Sequence, residues 1–354
     1  MPTPPPVSDK LSWMMSPPLG RTLRLLAREP RCVRPGNWMK SLGLLLRGGA
    51  ASLLNRLAPP LPGGRAALPP VFIVGFWRSG TTLLHELLCL DPRVAYPCSF
   101  DCMAPGHAHW TRDRALPYGQ GHFESRRPMD NMVIRLDSPQ EDEFFLLNTG
   151  ARSFYELFLL PEEGLDHLAA LDPAGWTAPE RERWLAGMAR LMRLLARPGK
   201  DRAVLKSPTH AFRIPLLRER FPEAVFIHLR RDPLEVFLST RHTWRANARI
   251  YALHRPSAER DLDPLILACH RLHRERMAEA RQSLGSRWYE LGYADLVRDP
   301  VGSLEAIYHQ FGWSGFEVVA PALAAYQSTH ADYRTNGFQA ADEAERKRLC
   351  EALA

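Results

Sequence analysis

The chain has 354 residues, 45% hydrophobic and 24% charged, the balance of a globular protein with a sizeable core. That composition excludes a wholly disordered chain, a collagen and a small disulfide scaffold. Lys and Arg number 46 against 39 Asp and Glu, a net charge of +7 with His neutral. A modest basic excess favours an anionic ligand or surface without choosing among nucleotide, nucleic acid and lipid headgroup.

The six cysteines (Cys32, Cys89, Cys98, Cys102, Cys269, Cys350) show no repeated spacing and read as thiols of a reducing compartment. The start, MPTPPPVSDK, has no basic region followed by an apolar run, so no secretory signal is expected. Apolar runs such as Leu44-Leu45-Leu46 fall far short of the ~18–20 residues that span a bilayer. A cytoplasmic protein is expected.

Residues 1–16, Pro-rich at their start, are predicted to be a disordered tail. Over 17–57 the leucines recur at helical spacing with Arg21, Arg24, Arg28, Arg47 and Arg56 among them, which predicts a helical arm. Two roles stay open for it: packing on the core or on a second subunit of a homodimer, or peripheral contact with a membrane. The segment 58–70 is a Pro/Gly linker. The remainder, 71–354, reads as one α/β domain.

Val71 to Gly75 is a short apolar run suited to a buried parallel strand. Gly75–Gly80 makes a turn, and 81–90 has helical character. Strand, glycine-bounded loop and helix in that order open a nucleotide-binding α/β fold. The stretch 96–176 predicts loops and short helices. An amphipathic helix follows over 177–196, with Trp184, Leu185, Met188, Leu191, Met192 and Leu195 as its core stripe. Further strands are predicted at 203–205, 224–229 and 287–291, then helices to about 327 and a polar loop over 330–338.

The loop Gly75-Phe-Trp-Arg-Ser-Gly-Thr-Thr82 keeps the Walker A frame but has Thr81 where the lysine belongs. Its physics survives that change. Backbone N–H groups and the positive end of the following helix form an anion cradle. Ser79, Thr81 and Thr82 add hydroxyls and Arg78 a positive fork. The missing lysine removes the usual contact to the transferred phosphoryl. No strand ends in a magnesium-binding Asp; 224–229 runs into Arg230-Arg231.

Here the sequence resembles a family. Phe72 to Leu84 looks like the 5′-phosphosulfate loop of sulfotransferases, which use 3′-phosphoadenosine 5′-phosphosulfate (PAPS). The bacterial-type branch, with features shared with tyrosylprotein sulfotransferases, is the nearest likeness. Trp77 stands where the family usually has Pro. By this resemblance Arg78, Ser79, Gly80, Thr81 and Thr82 hold the 5′-phosphosulfate. The segment Leu229 to Ser239 is similar to the 3′-phosphate motif, giving Arg231 and Ser239 that role, with Arg230 and Arg241 as weaker neighbours. Val204 to His210 is similar to the segment that delivers a lysine, here Lys206, to the bridging oxygen. Tyr293 to Pro300 resembles the Tyr-Glu-Asp-Leu stretch, with Ala294 in place of Glu. The resemblance covers roughly 70–335 and implies a P-loop-like fold with a central parallel sheet flanked by helices.

The acceptor's proton needs a base. His107 and Glu141 compete for that role. The acids Glu141, Asp142 and Glu143 also suit a helix start with Ser138 as its cap. Cys98, Cys102, His107 and His109 match no usual zinc spacing, and the transfer needs no metal. The resulting expectation is a sulfotransferase acting on a hydroxyl or amine of a carbohydrate, lipid or small metabolite. A kinase-like phosphotransferase lacks its lysine and magnesium ligand here. A non-catalytic nucleotide- or membrane-binding protein would not need Lys206 beside both phosphate motifs. Nucleic-acid binding is not expected, because the arginines are dispersed without an aromatic reading surface.

Overall fold

A continuous apolar run of five residues belongs in the middle of a parallel sheet, and Pro70–Val74, buried throughout, sits there. The computed structural model describes residues 9–63, 67–126, 133–254, 261–329, 340 and 342–354. In chain order its main elements are α1 (Leu19–Arg28), α2 (Trp38–Leu57), β1 (Pro70–Val74), α3 (Thr81–Leu88), β2 (Val94–Ala95), α4 (Ala108–Phe123) and α5 (Asp142–Asn148). Then come α6 (Ala178–Leu195), β3 (Arg202–Lys206), β4 (Val225–Arg230), α7 (Pro233–Tyr251), α8 (Asp263–Leu284), β5 (Trp288–Gly292), α9 (Pro300–Gln310) and α10 (Phe316–Thr329).

The chain forms two compact units. One comprises residues up to 64 with 97–194 and 242–262; the other comprises 65–96, 195–241 and 263–354. The second holds the five-stranded sheet, order β2-β3-β1-β4-β5, every pair parallel. Val71 pairs with Val204 on one side and Val225 on the other. The chain therefore changes direction across the sheet at β1, and loops at the carboxyl ends of β1, β3 and β4 open at a topological switch point. One sheet face (Val71, Ile73, Val204, Ile227) packs with Leu84 and Leu87 of α3, Ile307 of α9 and Leu323 of α10. On the other, Phe72 stacks on Phe226 at 5.4 Å and takes His210 edge-on at 5.2 Å. This is the expected α/β architecture with helices flanking a parallel sheet.

In the first unit α6 buries Trp184, Met188, Leu191 and Leu195 as its sequence predicts. The arm is built in by polar contacts as well as by Leu25, Leu26 and Leu44, all buried. Asn148 accepts from the Ser16 N–H at 2.7 Å and donates to the Met14 carbonyl at 2.8 Å. Arg21 donates to Glu156 at 2.7 Å, and Arg28 reaches the same carboxylate at 3.2 Å.

Three expectations need correction. The tail predicted over 1–16 is ordered from Asp9: Asp9–Met14 forms a 3-10 helix, and Leu11, Met14 and Met15 are buried. Residues 1–8 and the predicted loop 330–338 lie outside the described residues. Ser138 does not cap α5, since its hydroxyl accepts from the Arg135 N–H at 2.9 Å and Glu141 occupies the cap position. The 96–176 stretch contains the 16-residue α4, running through Pro117. The two-residue β2 had no sequence signal.

Candidate active site

The loop after β1 is shaped by lack of room. A Cβ on Gly75 would stand 2.6 Å from Ser79 Oγ and 2.9 Å from the Leu229 carbonyl. Gly80 has φ +97° and faces the Tyr293 ring so closely that a Cβ would collide with it. Arg78 carries φ +68°, the one positive φ outside glycine among the described residues. Holding a non-glycine residue there costs about 1–3 kcal/mol, and the next N–H, that of Ser79, donates to the Phe76 carbonyl at 3.2 Å. The Ser79 hydroxyl donates to the Phe76 carbonyl at 2.8 Å, so it braces the turn. Thr81, buried, and Thr82, half-buried, start α3.

The second motif comes to the first. Arg78 Nε donates to Ser239 Oγ at 3.1 Å, and Arg231 Nη1 donates to the Arg78 carbonyl at 3.2 Å. The Arg231 guanidinium lies over the Tyr293 ring at 4.5 Å and pairs with Glu235 at 3.0 Å. Thr240 adds a bond from its hydroxyl to the Trp77 carbonyl at 3.2 Å. The weaker neighbours are occupied elsewhere: Arg241 pairs with Glu345 at 2.8 Å and Asp263 at 3.3 Å, and Arg230 is exposed.

Lys206 ends β3 with its side chain 2% exposed, donating to Thr82 Oγ1 at 3.3 Å. Burial, and then the charge of Lys206, push the His85 imidazole down to about 3, which keeps a second cation from forming beside the lysine. Arg78, Lys206 and Arg231 thus meet the loop at the carboxyl ends of three adjacent strands. A phosphate or sulfuryl anion fits such a set.

Sequence reasoning did not find Tyr293 as a wall of the loop, although its position after β5 was noted. It also missed the buried histidines His228, His270 and His273 around Phe76. Burial holds His228 at about 4, against the pull of Glu290 3.4 Å away, and holds His270 at about 4. All three pack as neutral rings, which hydropathy periodicity does not reveal.

His107 and Glu141 belong to the first unit. His107 is buried at the start of α4 with Nδ1 2.9 Å from Thr111 Oγ1. Burial, and then the neighbouring His109, lower its pKa from the ordinary 6.5, so the ring is neutral at pH 7. The Glu141 carboxylate accepts from the Tyr155 hydroxyl. Burial raises the Cys98 thiol to about 12 and lifts Cys102 well above its ordinary value. Among the described residues no three His, Cys, Asp or Glu gather as a metal-holding group.

Comparison with known proteins matches residues 69–317 to the sulfotransferase family. Omega-hydroxy-beta-dihydromenaquinone-9 sulfotransferase Stf3 of Mycobacterium bovis is 40% identical over 323 residues, 90% of this chain and 83% of that protein, and the Mycobacterium tuberculosis protein of the same name matches equally. In fold the chain is similar to sulfotransferase STF1 of Mycobacterium tuberculosis (TM-score 0.65, 20% identity, 98% and 93% of the two chains). It is similar also to STF9 of Mycobacterium avium (TM-score 0.66, 19% identity, 96% of each). The fold and the anion cradle define a sulfuryl-transferring enzyme with a P-loop-like fold. The chain belongs to the sulfotransferase family, and that membership implies PAPS as the sulfuryl donor.

Gly80→Ala should destabilise the fold by roughly 1–3 kcal/mol, from the positive φ and the collision with Tyr293. Tyr293→Ala removes the collision alone, so the double variant should lose less than the sum of the single losses. Chemical denaturation of the three variants measures this coupling.

Proposed function

We propose that the enzyme moves the sulfuryl group of PAPS to the terminal hydroxyl of a lipid acceptor of the menaquinone type, in the cytoplasm. The observation that carries the donor half is the contact chain Arg231–Arg78–Ser239, which joins both phosphate motifs in one cradle. The acceptor half is supported by 40% identity to a sulfotransferase named for a hydroxylated dihydromenaquinone. The compartment is supported by six cysteines that form no disulfide.

PAPS, when bound, supplies an activated sulfuryl group on a phosphate leaving group. In this reading Arg78, Gly80, Thr81 and Thr82 hold the 5′-phosphosulfate through side chains and backbone N–H groups, with Ser79 bracing the turn. Arg231 and Ser239 hold the 3′-phosphate. Lys206, a buried cation beside Thr82, stabilises charge on the departing oxygen. Arg78, Lys206 and the loop N–H groups supply the positive charge, so no metal has a role. His107, kept neutral by burial, takes the acceptor's proton; Glu141, bound by Tyr155, is the alternative base.

The spent donor, 3′-phosphoadenosine 5′-phosphate (PAP), should raise stability by about 2.7 kcal/mol at a hundredfold excess over Kd. ATP with magnesium should protect much less, since it leaves the 3′ grip empty. Arg231→Ala should erase that preference in thermal melts; equal protection of the parent by both nucleotides would remove the 3′ assignment.

Lys206→Ala should lower turnover by roughly 10²–10³ with a much smaller change in PAP affinity by calorimetry. Unchanged turnover would make Lys206 an ordinary buried lysine.

The rate should be flat at and above the ordinary histidine range and fall only in acid, because the lowered pKa of His107 keeps it unprotonated down to below about 6.5. His107→Gln should reduce kcat by roughly 10²–10⁴ and abolish the acid limb, whereas Glu141→Gln should retain it. The reverse pattern in the pH–rate profiles would assign the proton to Glu141.

A further inference from the structure

Of the seventeen large apolar side chains exposed among the described residues, eleven lie between Trp13 and Leu57. Five form a line on α2: Met39 (72% exposed), Leu42, Leu46, Leu53 and Leu57. With Ala50, their spacing of three and four residues keeps them on one face. Ser41, Leu44 and Gly48, on the opposite face, are the residues α2 buries. The outward line runs about 27 Å at 1.5 Å per residue. Arg47 flanks one edge of it and Arg56 the other. Leu23 of α1 and Val33 of the following turn add exposed apolar surface beside Arg24, Arg28, Arg31 and Arg34.

The charge is as uneven as the hydrophobicity. Between Trp13 and Leu57 eight Arg and Lys residues stand against Glu29 alone. That surplus of seven equals the net charge of the whole chain, so the other residues are balanced and the basic excess is a property of the arm. The same segment lines a cavity of about 280 Å³ whose walls include Trp13, Met39, Leu44 and Leu253. Its charged lining groups are Lys40 and Arg47, and none of its lining residues is a carboxylate. No helix among the described residues is long and apolar enough to cross a membrane.

An apolar stripe edged by cations fits an interface where hydrocarbon meets negative charge. A second copy of this chain would set surplus positive charge against surplus positive charge, which opposes that occupant. We propose that the outer face of α2, with the exposed parts of α1 and the turn between them, docks the enzyme on an anionic phospholipid bilayer. The helix lies in the interface plane, its leucines below the headgroups and its arginines among the phosphates. This deepens the lipid-acceptor reading and rests on it for its purpose, while the geometry stands without it.

The test is flotation of the full chain with phosphatidylcholine vesicles, with and without phosphatidylglycerol. Binding is expected to the anionic vesicles and to be lost at about 1 M salt, where the Debye length is about 3 Å. Replacing Leu42, Leu46 and Leu53 together by Ser should reduce the bound fraction at least tenfold without lowering the melting temperature, since all three are exposed. Replacing Arg24, Arg34 and Arg56 together by Gln should weaken binding about a hundredfold, at roughly fivefold per basic group at the surface. Should the serine variant unfold, the glutamine variant decides. Absence of flotation, binding unaffected by lipid charge or salt, or a dimer that the serine variant dissociates would each overturn the proposal. Transfer to a short-chain, water-soluble hydroxylated menaquinone analogue is assayed in parallel. Transfer without flotation removes the docking and spares the acceptor reading; flotation without transfer does the opposite.

Discussion

The cradle depends on how closely the backbone of its loop approaches its surroundings. Gly75 leaves no room for a methyl group between Ser79 and the Leu229 carbonyl, and Gly80 is pressed against Tyr293. Between these two glycines the chain can close into a left-handed step at Arg78. From that step the guanidinium reaches Ser239.

Cations of the second unit divide into two kinds. Arg93 and Arg241 spend their forks on carboxylates, Asp91 and Glu345 respectively, and tie helices and turns together. Arg78 and Lys206 have hydroxyl partners, Ser239 and Thr82. A hydroxyl holds a cation in position without cancelling its charge. Arg231 is intermediate, shared among Glu235, the Arg78 carbonyl and the Tyr293 ring. Histidines nearby are kept neutral by burial.

The strands were legible because buried parallel strands are continuous apolar runs. Predicted at 71–75, 203–205, 224–229 and 287–291, they occur at 70–74, 202–206, 225–230 and 288–292. The two phosphate motifs were legible from their resemblance to a family. Their direct contact was not, since Arg78 and Ser239 are 161 residues apart and no local pattern records such a distance. The inward bond of Ser79 was hidden for another reason: a hydroxyl in a phosphate loop reads as a donor to the ligand until the Phe76 carbonyl is seen to take it. Pro117, with Gly119 and Gly121 close behind it, disguised α4, where tertiary packing overrides propensity. The arm's inner contacts rest on Asn148 and Glu156, which nothing in the 17–57 sequence announces.

The position of β1 also bears on biosynthesis. Val71 finds its partners at Val204 and Val225, so a growing chain carries the apolar segment PVFIV for about 130 residues with neither neighbour made. At roughly 5–20 residues per second, that interval lasts on the order of 7–27 s. Long-range parallel pairing is slow in any case, because loop closure must come before the contacts that reward it. The strand that anchors the anion loop is therefore an unpaired, chargeless β-former through much of translation, the kind of segment that chaperones cover. The central placement that later shields β1 on both edges is what leaves it exposed to misassembly on the ribosome.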